Sequence, residues 1–154
     1  MPTAADHTRN AEHHSDDASQ ASRASDRLLV LDASSLTALL LDSDAAEHSV
    51  VRGAQLLAPS LLPYEVANVL RRLQTSRRLT ARHASVAFAD LAILDIEFWD
   101  WALLAERVWQ LRHNLSSYDA AYVALAERTD ALLVTRDAAL ARAPGVRCAV
   151  EVLT

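Results

Sequence analysis

The sequence predicts an α/β domain in which a central parallel sheet is flanked by helices on both faces. Three observations carry this. The chain contains short, wholly apolar runs such as Leu28 to Leu31 and Leu132 to Val134, helical periodicities separate them, and the two kinds of segment alternate along the chain. An apolar run without polar alternation is what a strand covered on both faces requires, and the helices between the runs supply that cover.

Leu28 to Leu31 are expected as the first strand, ending in Asp32. A helix is expected from Ser34 through Leu41, and a second from Asp44 to Arg52, capped by Asp44 and stopped by Gly53. Gln55 to Leu57 make a short second strand. Ser60 caps a helix running to about Thr75, where Pro63 is tolerated because the first turn has no intrahelical donor to lose. Thr80 caps the next helix, to Ala92; Leu94 to Phe98 form the third strand, and Trp101 to Arg112 a helix. Ser116 and Ser117 precede a helix to Arg128, followed by strand Ala131 to Thr135, a short helix Ala138 to Ala143 and a last strand from Cys148 to Val152. No internal repeat is present. Trp99, Trp101 and Trp109 cluster beside Phe98, and because they flank a strand instead of interleaving with Arg they read as core or dimer interface before a base-stacking surface.

At 154 residues and 51% hydrophobic composition the chain suits one domain with a sizeable core, whereas two separate cores would each be marginal. Residues 1–26 are rich in Ala, Ser, Asp, His and Arg, with no large apolar side chain after Met1, and are expected to be a disordered extension; residues 27–154 are the folded domain. His7, His13 and His14 lie in that extension without a scaffold that could turn them into a metal site. No apolar run is long enough to span a bilayer and the N-terminal residues lack the apolar core of a secretory signal, so a soluble cytoplasmic protein is expected, with no membrane association.

The composition excludes several chemistries. All 15 basic residues are Arg, so Walker-A phosphate binding, Schiff-base catalysis and receiver-type phospho-acceptor sites, each of which uses a lysine, are ruled out. With only Gly53 and Gly145, neither a dinucleotide-binding glycine loop nor a nucleophile elbow can be assembled. The single Cys148 cannot form an internal disulfide, and the six histidines show no zinc spacing. The net charge of −5 argues weakly against nucleic-acid binding, but residues 1–26 hold five acids against two Arg and account for −3 of it. Metal neutralisation of a few remaining acids would leave the folded domain with a basic outer surface.

Four carboxylates stand out because ligands of open parallel sheets bind beyond the carboxyl ends of the strands. Asp32 closes the first strand, and Asp137 lies two residues past the strand ending at Thr135. Asp119 and Glu65 sit in the first turns of helices that start at the same edge. On the Glu65 helix, at about 100° per residue, Leu62, Val66, Val69 and Leu73 form an apolar face and Glu65, Asn68 and Arg72 fall on its flank. Each acid has a plainer role open to it: Asp119 as a partner of the helix dipole, Asp137 and Asp32 as caps, Glu65 as a partner of Arg72. As a group, carboxylates brought together without a lysine repel one another unless a hard cation such as Mg²⁺ or Mn²⁺ neutralises them, and such a site suits phosphodiester hydrolysis.

The segments LLVLDASSL, APSLLPYEVANVLRR, LSSYDAAYVALAE and ALLVTRD, in this order and spacing, resemble the PIN-domain family and within it the VapC toxin branch. The resemblance runs from Leu28 to the C-terminus. It implies that Asp32, Glu65, Asp119 and Asp137 are the catalytic, metal-holding acids, that Asn68 completes an E-x-x-N pattern, and that Ser34 and Thr135 brace the site. It further implies a Mg²⁺- or Mn²⁺-dependent endoribonuclease that arrests translation, a homodimer, and a cognate VapB-like antitoxin that lays a segment across the cleft. Arg71, Arg72, Arg77, Arg78 and Arg82 form a basic stretch across the end of the Glu65 helix and the start of the next and, with Arg136, are candidates for holding RNA phosphates. Two rivals remain: a catalytically silent PIN-like module whose acids bind a partner's Arg residues, and a haloacid-dehalogenase-like phosphatase. The latter needs an acid where Ser34 stands.

Overall fold

The computed structural model describes residues 27–154. The expected N-terminal extension, with His7, His13 and His14, therefore lies outside the described residues. Five strands, β1 (Leu28–Leu31), β2 (Gln55–Pro59), β3 (Ile96–Trp99), β4 (Leu132–Thr135) and β5 (Val150–Val152), form one sheet in the order β3-β2-β1-β4-β5. Every pairing is parallel. The helices are α1 (Ala33–Leu41), α2 (Glu47–Val51), α3 (Leu62–Thr75), α4 (Ala81–Ile93), α5 (Trp101–Gln110), α6 (Ser117–Thr129) and α7 (Ala138–Ala141).

Strand order decides where a ligand can enter. From β1 through β2 to β3 the chain moves one way across the sheet, and from β3 to β4 it reverses past β1 to the other side. Right-handed crossovers then place α1 to α4 on one face and α5 and α6 on the other. Consistent with this, α1, α3 and α4 pack together, while α5 packs on α6 and α6 lies against β1, β2 and β4. The reversal opens a crevice at the carboxyl ends of the adjacent strands β1 and β4. The core fills the sheet on both sides, with Leu29, Val30, Leu133, Val134, Leu36, Val66 and Val123 completely buried. Helix α6 is buried through seven successive residues, Ala120 to Ala126, and its four alanines let it seat closely on the strands.

Several local expectations are corrected. Asp44 does not cap α2, which begins at Glu47 behind Ala46 without a side-chain cap; the Asp44 N–H instead donates to Asp42 Oδ1 at 3.0 Å. Ser60 does not cap α3 either. Its hydroxyl donates to the Trp99 carbonyl at 2.8 Å and to Asp100 Oδ1 at 3.2 Å, tying the end of β2 to the end of β3. The buried face of α3 is Leu62, Val66 and Leu70, one step round from the predicted stripe, so that Val69 and Leu73 turn towards the cleft described below. The tryptophans are not core: Trp101 and Trp109 are 60% and 68% exposed, with Arg112 over the Trp109 ring at 4.8 Å, and only Trp99 packs partly against the core. By contrast, the Thr80 cap forms as expected, accepting from the His83 N–H, and Ser116 caps α6 by accepting from the Asp119 N–H.

Candidate active site

An open cleft of about 1110 Å³ lies over the β1/β4 crevice, and its walls include Asp32, Glu65, Asp119 and Asp137. Asp32 is held most firmly because the chain leaves β1 and enters α1 at this residue. As N-cap, its Oδ1 accepts from the Ser35 N–H at 2.8 Å and from the Ser34 hydroxyl at 2.6 Å, while Oδ2 accepts from Thr135 Oγ1 at 2.5 Å. The Thr135 hydroxyl in turn accepts from the Asp137 N–H at 2.9 Å, and the Ser34 hydroxyl from the Arg136 N–H at 3.1 Å. One network therefore couples the ends of β1 and β4. Asp137 caps α7, with Oδ1 accepting from the Ala139 N–H at 2.7 Å.

On the opposite side of the sheet switch, Asp119 Oδ2 accepts from Ser116 Oγ at 2.7 Å in the first turn of α6. Three residues on, the buried Tyr122 donates its hydroxyl to Glu65 Oε2 at 2.5 Å. Burial pushes the Glu65 carboxyl above its ordinary range; the Tyr122 hydrogen bond opposes this, and the charges of Asp119 and Asp32 reinforce it. Burial and the carboxylate beside it likewise push the Tyr122 phenol upward, so it remains a donor at any physiological pH.

Not every candidate reaches the cleft equally. Asn68, Arg71, Arg72 and Arg78 line it, whereas Arg77 and Arg82 are not among its walls. Arg136 lines it too, but its guanidinium is engaged by the fully buried Glu47, Nε to Oε1 at 2.7 Å and Nη2 to Oε2 at 3.1 Å. Burial raises the Glu47 carboxyl, but the Arg136 hydrogen bonds and charge outweigh it and hold the group below its ordinary value. Tyr122, Glu47 and Ser116 are the contributors the sequence reading missed. Tyr122 had a legible signal, three residues after Asp119 and so on the same helical face; Glu47, 89 positions from its partner, had none.

The donor set fits a hard divalent cation. It consists of carboxylate oxygens alone, without sulfur, imidazole or lysine, which is the chemistry Mg²⁺ and Mn²⁺ prefer. Glu65 Oε1, Asp119 Oδ1 and Asp137 Oδ2 carry no hydrogen bond among the described residues. Among those residues no three acidic, His or Cys side chains are already gathered as a closed cage.

A parallel α/β fold with four acids on the walls of a cleft at its topological switch point defines the class, an open-sheet domain with an acidic cleft. The PIN domain family profile matches residues 29–146, and the chain belongs to that family. Among similar proteins, VapC ribonuclease Mb0985 of Mycobacterium bovis is 36% identical over 126 residues, 82% of this chain and 98% of its own length. Ribonuclease VapC1 of Mycobacterium tuberculosis is 41% identical over 97 residues, 62% of this chain and 73% of its own. Among solved structures, PAE2754 from Pyrobaculum aerophilum superposes with a TM-score of 0.56 at 25% identity, covering 82% of this chain and 84% of its own. VapBC2 from Rickettsia felis, solved bound to a DNA fragment from its promoter, reaches a TM-score of 0.61 at 14% identity, covering 82% of this chain and 99% of its own, and shares the fold.

Proposed function

We propose that this chain is a divalent-metal-dependent endoribonuclease, the toxin of a VapBC-type toxin–antitoxin pair, which hydrolyses RNA phosphodiester bonds and so inhibits translation. The observation that carries this is the joint placement of Asp32, Glu65, Asp119 and Asp137 on the walls of one cleft that also presents Arg71, Arg72 and Arg78. The similarity to proteins named VapC ribonucleases over most of the chain supports the choice of RNA over other phosphodiesters.

In this reading the four acids hold Mg²⁺ or Mn²⁺, which when bound lowers the pKa of an attacking water and stabilises charge growing on the phosphate. The chain's own residues supply the rest. Ser34, Ser35 and Thr135 fix the orientation of Asp32, Tyr122 fixes Glu65, and Ser116 fixes Asp119. Arg71, Arg72 and Arg78, with Asn68 beside them, hold the RNA backbone against the acids. Arg77 and Arg82 continue the basic stretch as more distant phosphate contacts, and Arg136, beside Asp137, is a second contact at the cleft itself.

The partners inferred are an RNA substrate, a VapB-like antitoxin whose basic segment neutralises the acidic cleft, and a second copy of the chain. The exposed Phe98, Trp101 and Trp109 offer apolar surface for such assembly. The cytoplasm, where RNA and ribosomes are found, is the matching compartment; no described helix is long and apolar enough to cross a membrane.

Purified protein should cleave total cellular RNA into discrete fragments with Mg²⁺ or Mn²⁺, and both Asp119→Asn and a chelator should abolish the cleavage. Equal inertness of wild type and variant on RNA from the native host would sink the enzyme and leave a silent binding module. Sedimentation velocity checks the dimer, and a monomer at micromolar concentration would exclude it.

A further inference from the structure

Two aromatic side chains at the cleft take no part in the machinery described above. Tyr64 immediately precedes Glu65 on α3, Tyr118 immediately precedes Asp119 on α6, and both line the cleft. They are 75% and 61% exposed, and neither belongs to the hydrophobic core. Tyr122, on the same helix as Tyr118, is by contrast buried and has its hydroxyl committed to Glu65. Two large exposed rings, each next in sequence to an acid of the site and on different walls of one cleft, make poor structural sense in the free protein, because they are left in water. They make good sense facing a ligand with planar groups.

The nature of that ligand follows from the rest of the cleft. Arg71, Arg72 and Arg78 supply charge for a phosphate backbone, and the acids supply the hydrolytic centre, so the planar groups are the bases attached to that backbone. A base inside an A-form duplex is already stacked on its neighbours and offers no face to a protein ring, whereas an unpaired base can be splayed out and stacked on Tyr. We propose that Tyr64 and Tyr118 are stacking platforms for the unpaired bases that flank the scissile phosphate. The proposal rests on the ribonuclease reading and deepens it.

The test is RNA binding by the full chain carrying Asp119→Asn to prevent cleavage, measured by fluorescence anisotropy with a labelled oligouridylate. A ribose-phosphate oligomer of equal length without bases serves as comparison. Tyr64→Ala combined with Tyr118→Ala should weaken oligouridylate binding about tenfold or more, since base–aromatic stacking contributes on that scale for each base. Tyr64→Phe with Tyr118→Phe should bind like the parent, because the ring faces are kept. All the proteins should bind the base-free backbone alike.

Unchanged oligouridylate affinity in the alanine variant overturns the stacking role, as does a loss of equal size in the phenylalanine variant, which would assign the effect to the hydroxyls. Because both tyrosines are exposed, the melting temperature should not move, and a folded alanine variant with parental affinity leaves no other explanation. If the parent binds neither oligomer and the wild type cleaves no RNA, the ribonuclease reading fails first and takes this proposal with it.

Discussion

Tyr122 illustrates how much a single hydroxyl carries in this site. Its O–H faces Glu65 Oε2 at 2.5 Å inside a half-buried neighbourhood that already disfavours the carboxylate. A hydrogen bond to a charged group contributes about 1.5–3 kcal/mol, so Tyr122→Phe should lower kcat/KM by roughly 10- to 100-fold while leaving the apolar ring packing intact. Steady-state cleavage beside a thermal melt checks this: a variant that loses stability but not activity would show the bond to be structural only. Ser35 makes the converse case. Its backbone N–H holds Asp32, but its own Oγ is buried without a partner. Since a buried unsatisfied polar group is destabilising, Ser35→Ala should be neutral or stabilise by up to about 1 kcal/mol. A clear drop in melting temperature would mean that the hydroxyl finds a partner in solution.

At the scale of elements, two joints are open to measurement. Helix α3 ends at Ser76 and the chain reverses through Arg77, whose φ of 60° lies in the left-handed region, while the N–H groups of Arg78 and Leu79 return to the Leu73 carbonyl. A residue with a Cβ costs about 1 kcal/mol there and glycine does not, so Arg77→Gly should raise the melting temperature by a few degrees. The second joint fastens α5, α6 and the segment before β5. Arg107 donates to Glu127 at 2.6 and 3.0 Å and to the Gly145 carbonyl at 2.6 Å, and Glu127 also accepts from the Arg147 N–H at 2.8 Å. Burial raises the Glu127 carboxyl, but Arg107 and Arg147 prevail and hold it below its ordinary 4.5. A depressed folded-state pKa gives stability that is present above the unfolded value and lost as the pH falls through the folded one. The melting-temperature gap between wild type and Glu127→Gln should therefore be full at pH 7 and close below about pH 4.5. A gap independent of pH would remove the ion pair as its cause.

Over the whole molecule, charge is arranged against its own net sign. The chain carries −5, yet the cleft that holds four acids is edged by Arg71, Arg72 and Arg78. Cations held by the acids would turn that edge into a surface suited to a polyanion, and the salt dependence of RNA binding would report how many phosphates it holds. Each phosphate contact to a single strand contributes a slope of about −0.7, so Arg71→Ala with Arg72→Ala should flatten the slope by about 1.4 and weaken binding irrespective of sequence. Unchanged affinity and slope would return these arginines to the status of a solvated surface.

What the sequence determined by itself is whatever depends on local pattern. The apolar runs specified the strands, and the periodic segments specified the helices. Asp32 and Asp137 were legible because an acid one or two residues past a buried strand can stand only at the strand's carboxyl edge. Helix starts without a side-chain cap, at Ala46 and Leu61, were misread because Asp44 and Ser60 carry capping chemistry but spend it elsewhere. The apolar stripe of α3 was legible to within one step, since periodicity gives a helix a face but not the partner that face meets. The family resemblance pointed to Ser34 and Thr135 as braces, but only the tertiary structure decided which acid each donor fixes. Tyr122 reaches Glu65 across 57 residues, Arg136 reaches Glu47 across 89 and Thr135 reaches Asp32 across 103. Contacts at that range are set by strand order and register, which bring β4 beside β1 and α6 against α3's carboxylate, and no local propensity encodes either.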